Sequence, residues 1–202
     1  MKSSISSFFL EIFKKSFIAI FFFVCAFQAA KSENIKTKTV VDLQKVLKEI
    51  SQKNNSKFFK KTLNIVKLCY DSEKMIKMIV GNHWENILDH KKKELTQVFE
   101  EYIASNYLRM FEKIENPSFK NNYEKKIGKN YRLVQTYLIL NNNEKIELNY
   151  LLSQKKGRWQ IFDVLLAGSV SEIATKKSEF SIYLKNGDID QLIHALRNIK
   201  KL

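Results

Sequence analysis

The chain has 202 residues and a formal charge of +14 at neutral pH, with 35 Lys and Arg against 21 Asp and Glu. That length is enough for one domain with a real apolar core. With 5 Gly, 1 Pro and no internal repeat or low-complexity stretch, the composition excludes a string of domains joined by linkers.

Residues 1–30 read as a secretory signal. Lys2, Lys14 and Lys15 give a positive lead, and residues 17–27 form an apolar run of signal length. Small residues at Ala29, Ala30 and Ser32 place cleavage near Ala30 or Ser32. A membrane anchor is the competing reading, because residues 8–13 are also apolar. Glu11, Lys14 and Lys15 interrupt that stretch, and the uninterrupted run falls short of the roughly 20 residues a span needs. Cys25, preceded by Val24, lacks the small residues that go before a lipoprotein cysteine. Removing the signal takes away three lysines and one glutamate, so the charge falls to +12 and Cys69 is the one thiol left. An exported chain with one thiol has no internal disulfide and depends on packing. Flanked by Leu68 and Tyr70 in an apolar helical segment, Cys69 reads as a small buried side chain rather than a nucleophile.

Helices come first. Residues 40–50 and 58–70 show helical spacing, and residues 73–80 continue it after a break at Asp71 and Ser72. The clearest helix is predicted over 91–114. Leu95, Val98, Phe99, Tyr102, Ile103, Tyr107, Met110, Phe111 and Ile114 recur there at intervals of mostly three and four, and Asn116-Pro117 ends it. The next fifty residues change to strand chemistry, with four extended segments at 119–127, 130–140, 145–153 and 158–166. Turns at 141–143 and 155–157 make the sheet antiparallel. Leu148, Tyr150 and Leu152 alternate with Glu147, Asn149 and Leu151, which turns one face inward. In the last strand both parities are largely apolar, so it is expected to be covered on both sides. Two capping boxes then restart helix, Ser169 with Glu172 and Asp188 with Gln191, separated by Gly187. The sum is α+β: a helical layer around a curved four-stranded sheet.

Three stretches resemble the MlaC family, periplasmic phospholipid carriers. They are Met78-Ile79-Val80-Gly81-Asn82-His83-Trp84, the helix of Leu95, Phe99, Tyr102 and Tyr107, and the region from Leu148 to Leu196 with its last two strands and closing helices. The likeness covers roughly residues 40–200. Two departures stand out. Many members carry an acid–glycine–valine–serine run after the tryptophan strand, where this chain has Ala167-Gly168-Ser169-Val170-Ser171, one residue longer and without the acid. That variant looks more like the hopanoid-associated branch. The family's usual basic residue after the glycine is Asn82 here.

The resemblance implies a cone-shaped lipid-binding domain over residues 31–202. It would work as a monomer that contacts membrane surfaces transiently. Its cargo would be a phospholipid, with no other cofactor. Its partners would be an outer-membrane lipoprotein complex and an inner-membrane ABC transporter. Candidate lipid-lining residues are Phe99, Tyr102, Ile103 and Met110 from the long helix. Leu133, Tyr137, Leu148, Tyr150, Phe162 and Val164 are the candidates from the sheet. An apolar stripe alone does not distinguish a hollow interior from a filled one, so the cavity follows from the resemblance. The surplus lysines would suit phosphate head groups and anionic membranes, yet most are mixed with acids or lie on polar helix faces.

Catalytic patterns are missing. His83, His90 and His194 lack metal-ligand spacing, and no phosphate loop or nucleophile elbow occurs. Asp163 is the one acid an enzyme on a small α+β cone would use as general base. The plainer expectation is that it ties the strand to the loop before Ser169. A nucleic-acid binder would need basic residues and exposed aromatics on one face, and export argues against it. A plain adaptor would have a filled core.

Overall fold

The structure, a computed structural model, describes residues 38–52, 58–184 and 187–199. The predicted signal lies outside them. Helix α1 (Lys38–Gln52) forms because Val40, Leu43, Val46, Leu47 and Ile50 repeat at three and four residues, and this stripe is buried along its length. Helix α2 (Phe58–Cys69) buries Thr62, Ile65, Val66 and Cys69. The chain then touches the sheet. Tyr70 bridges Ile161, and the Asp71 N–H donates to the Ile161 carbonyl at 2.8 Å. Asp71 also caps α3 (Ser72–Val80) by accepting from the Lys74 N–H. That is the physical content of the predicted break.

A 3-10 turn (Gly81–Asn86) leads to the long helix α4 (Asp89–Phe111). It stops three residues before the predicted end. The Ile114 N–H already bonds the Phe111 carbonyl in a tight turn, and Asn116 takes a φ of 45° ahead of Pro117.

Strands β1 (Ser118–Ile127), β2 (Tyr131–Ile139), β3 (Lys145–Lys155) and β4 (Arg158–Leu166) run as an antiparallel meander in sequence order. The sheet has a fifth strand, β5 (Val170–Ser171), where four were expected. Its source is the loop after β4. Ala167 and Gly168 both take positive φ, 48° and 81°, so the chain reverses quickly enough for Val170 to pair with Leu166. Ser169 is used in that turn, its N–H bonded to the Leu166 carbonyl. The expected cap on Ser169 is therefore replaced by one on Ser171, whose Oγ accepts from the Ala174 N–H at 3.0 Å and starts α5 (Glu172–Phe180). The second predicted cap is present as read. The Asp188 carboxylate accepts from the N–H groups of Asp190 and Gln191 at the start of α6 (Ile189–Ile199).

The two faces of the sheet differ. Val134, Leu148, Tyr150, Leu152, Ile161 and Val164 lie on the face turned toward α1 and α4, and all are buried. A bulge between Leu151 and Leu152 leaves Phe162 unpaired, which puts Ile161 and Val164 on one face despite their odd separation. The apolar parity of this strand therefore has two causes. One is the bulge. The other is real two-sided cover, because Asp163 on the opposite face is 6% exposed.

Candidate functional site

The inner face of the sheet and the helices above it belong to one apolar cluster of buried side chains. Phe111 near the end of α4 stacks on Phe119 of β1 with ring centres 6.1 Å apart. One turn earlier, Tyr107 tilts against Tyr70 and shares a hydroxyl–hydroxyl hydrogen bond with it. Tyr150 is 1% exposed, on the same face of the sheet as Val134 and Thr136. Burial pushes the phenols of Tyr70, Tyr107 and Tyr150 well above the ordinary tyrosine range, so all three stay neutral. Burial likewise pushes the Cys69 thiol up to about 12. That fits the reading of an inert packing group, and the Sγ donates to the Thr39 carbonyl at 3.3 Å.

The polar ties between α1 and the sheet are neutral. Gln44 of α1 donates to Asn121 of β1 at 2.9 Å, and the Thr39 hydroxyl donates to the Trp159 carbonyl at 2.6 Å. At the same end Arg132 pairs with Glu124, and its guanidinium lies 4.4 Å from the Trp159 ring centre.

The ten predicted lining residues divide into several groups. Leu148, Tyr150 and Val164 share the inner face. Leu133 and Tyr137 lie on the opposite face, since they pair with Leu151 and Glu147. Phe162 sits at the bulge, its ring 5.7 Å from that of Tyr131 and 3.9 Å from the Lys74 ammonium. On α4, Phe99 and Tyr102 are buried and stacked, but Tyr102 meets Phe180 of α5 edge-on at 5.8 Å rather than the sheet. Ile103 is half-buried and Met110 is 42% exposed. Phe111 of α4 meets the Phe119 ring of β1, with Tyr107 packed beside it; neither Tyr107 nor Phe111 was among the candidates. Both were visible in the stripe; what was hidden was which part of a wide stripe meets which neighbour. Parity also misled on β2, where Leu133 and Tyr137 balance Val134, Thr136 and Leu138, so only the register with β3 decides the inward set.

Two clefts among the described residues lie elsewhere, on the surface. One, of about 360 Å³, runs between His83, Leu88, Lys91 and Asp188; the other, of about 400 Å³, lies between Tyr183, His194 and Ile199. None of the ten predicted residues lines either. Within the stratum, Tyr70, Tyr107, Phe111 and Phe119 follow one another in ring contact.

The Asp163 carboxylate is engaged on both oxygens. One carboxylate oxygen accepts from the N–H groups of Val164 (2.8 Å) and Ile173 (3.2 Å), and the other accepts from the Ser171 hydroxyl (2.6 Å). The group anchors the start of α5 to the sheet and is aimed away from the inner face. The expected tie to the loop before Ser169 is replaced by bonds to Ser171 and Ile173 beyond it, because the chain reverses at Ala167 and Gly168 before α5 starts. Among the described residues no cluster of His, Cys, Asp or Glu is placed to hold a metal ion.

Among the described residues, six α-helices around an open antiparallel meander define an α+β protein with a broad apolar stratum between helices and sheet. The model of the family described as MlaC protein matches residues 36–198, and the chain belongs to that family. Among solved structures, it is similar to a phospholipid-binding protein of Ralstonia solanacearum, determined in complex with a phospholipid. Identity is 16%, the TM-score is 0.66, and the match covers 81% of this chain and 93% of that one. At that identity the likeness establishes the fold. No protein of curated function matches the sequence.

Proposed function

We propose that this protein is a periplasmic phospholipid carrier, the soluble binding component of an ABC-type lipid transport system. Membership of the MlaC family over residues 36–198 carries the reading. The Ralstonia protein of the same fold was solved with a phospholipid bound, which names the cargo class. An exported location is supported by the predicted signal, and no described helix is long and apolar enough to cross a membrane. The partners are an outer-membrane lipoprotein complex and an inner-membrane ABC transporter. Net transfer follows the differences in affinity among donor, carrier and acceptor.

The energetics require an enclosed apolar space. A two-tailed phospholipid exposes about thirty methylenes, so bare transfer of its tails into water costs on the order of 25 kcal/mol. The stratum under Tyr107, Phe111 and Tyr150 has the right chemistry, but its side chains meet one another. Loading therefore parts the helical layer from the sheet, and the tails re-cover the apolar surface that opens. On the α1 side the neutral hydrogen bonds of Gln44 and Thr39 give way more readily than buried ion pairs would, while the Asp71 N–H on Ile161 and the Lys155–Asp71 pair keep the start of α3 attached to the sheet. Native mass spectrometry of the exported protein, followed by lipid extraction, tests the proposal. A stoichiometric phospholipid is expected. No co-purifying lipid, together with no uptake from vesicles, would overturn it.

A further inference from the structure

The register of the sheet brings two turns together at one end. Ile127 pairs with Tyr131, Tyr131 with Ser153, and Lys155 with Arg158, so the β1–β2 and β3–β4 turns project side by side. Lys125, Lys126, Lys129, Lys156 and Arg158 are all exposed there. The acids of that end are already engaged: Glu124 by Arg132, and Asp71 and Glu73 by Lys155. Among the described residues these five cations have no ion-pair partner, and between them stand two exposed apolar side chains, Ile127 (42%) and Tyr131 (44%). The opposite end of the sheet is different. Its turn holds Asn141, Asn142, Asn143 and Glu144, and Asn141 bonds Glu115.

We propose that this pair of turns is a docking surface for an anionic lipid bilayer. Charge complementarity names the occupant. Exposed lysines and an arginine at the rim are drawn to anionic head groups, and their long stems let the charged groups spread over a soft surface. A tyrosine beside an aliphatic residue is the pair that settles at the depth of the head groups, with ring and aliphatic chain in the apolar zone and the hydroxyl wet. An acidic protein would use the cations but has no need of an exposed isoleucine at the turn. The inner face reaches this same end through Ile161, Trp159 and the Arg132–Glu124 pair. Docking here would set the rim of the apolar stratum against the membrane, so the proposal supplies the carrier reading with its point of contact.

The test uses the exported protein, sedimented with vesicles of phosphatidylcholine alone or mixed with phosphatidylglycerol, at low and high salt. Binding is expected on the mixed vesicles only and is lost at high salt. Lys129→Gln with Lys156→Gln should weaken it about 25-fold, since each cation near an anionic surface contributes roughly a factor of five. Ile127→Ser should weaken it further, with the thermal midpoint unchanged in both variants. Equal binding by the double variant, or equal binding to neutral vesicles, overturns the proposal. So does capture by an acidic protein with no vesicle binding at all. Bound lipid is measured separately by native mass spectrometry. Lipid present without vesicle binding sinks the docking surface alone, and vesicle binding without lipid sinks the carrier alone.

Discussion

At the scale of single residues, the chemistry of this protein lies in polar groups that hold it together. Asp163 receives two backbone N–H groups and a hydroxyl while almost fully buried. Asp163→Ala strands those donors and should destabilise the fold by about 3 kcal/mol in urea titrations, far more than a surface acid. A cost near zero would mean the carboxylate is free for other work. The buried phenols set a pH dependence. In the unfolded chain tyrosine titrates near about 10, and burial raises Tyr70, Tyr107 and Tyr150 above that value in the folded state. The stability they contribute is complete below about pH 10 and declines as pH rises beyond it. Thermal midpoints should hold steady from neutral to mildly alkaline pH and then drop, with part of the tyrosinate absorbance appearing only on unfolding. Cys69, held up to about 12, should resist thiol reagents at mildly alkaline pH until the protein is denatured.

The elements are amphipathic in the ordinary way, and their stripes decide what matters within them. In α6, Leu192 and Leu196 are 0% and 1% exposed. Leu192→Ala should therefore cost about 2–5 kcal/mol, whereas Met110→Ala on the exposed side of α4 should stay within about 0.5 kcal/mol. Equal costs from chemical denaturation would refute this division of the two helices. The four long strands, and all six helices to within a few residues, were legible from periodicity and caps. Less legible was anything that depends on a count of one. The β4 bulge at Phe162, the two-residue β5 and the shift of the cap from Ser169 to Ser171 each turn on a single residue inserted or consumed in a turn.

Across the whole molecule the question is whether helices and sheet part. Gln44 and Asn121 touch across that seam. Gln44→Cys with Asn121→Cys, bridged by a short thiol crosslinker with a reducible link, offers a reversible lock of about the span of the two native side chains. The bridged form should fail to take up phospholipid from vesicles and the reduced form should recover, while the buried Cys69 stays out of the reaction. Uptake by the locked form at the rate of the reduced one would place the cargo elsewhere. The candidate site was legible only in part for a related reason. Leu148, Tyr150 and Val164 were readable as inward-facing from the alternation of β3 and the apolar β4. Leu133 and Tyr137 were not, because both parities of β2 are equally apolar.

The sequence by itself determined the element order, the α+β class, the antiparallel meander and the family, since these follow from local spacing, turn chemistry and motif order along one chain. Tertiary structure alone decided which apolar residues meet. Register and bulges assign a strand's faces through a partner strand, and a helix stripe wider than one neighbour is divided among several. Contacts of that kind are properties of pairs of segments, and no single segment encodes them.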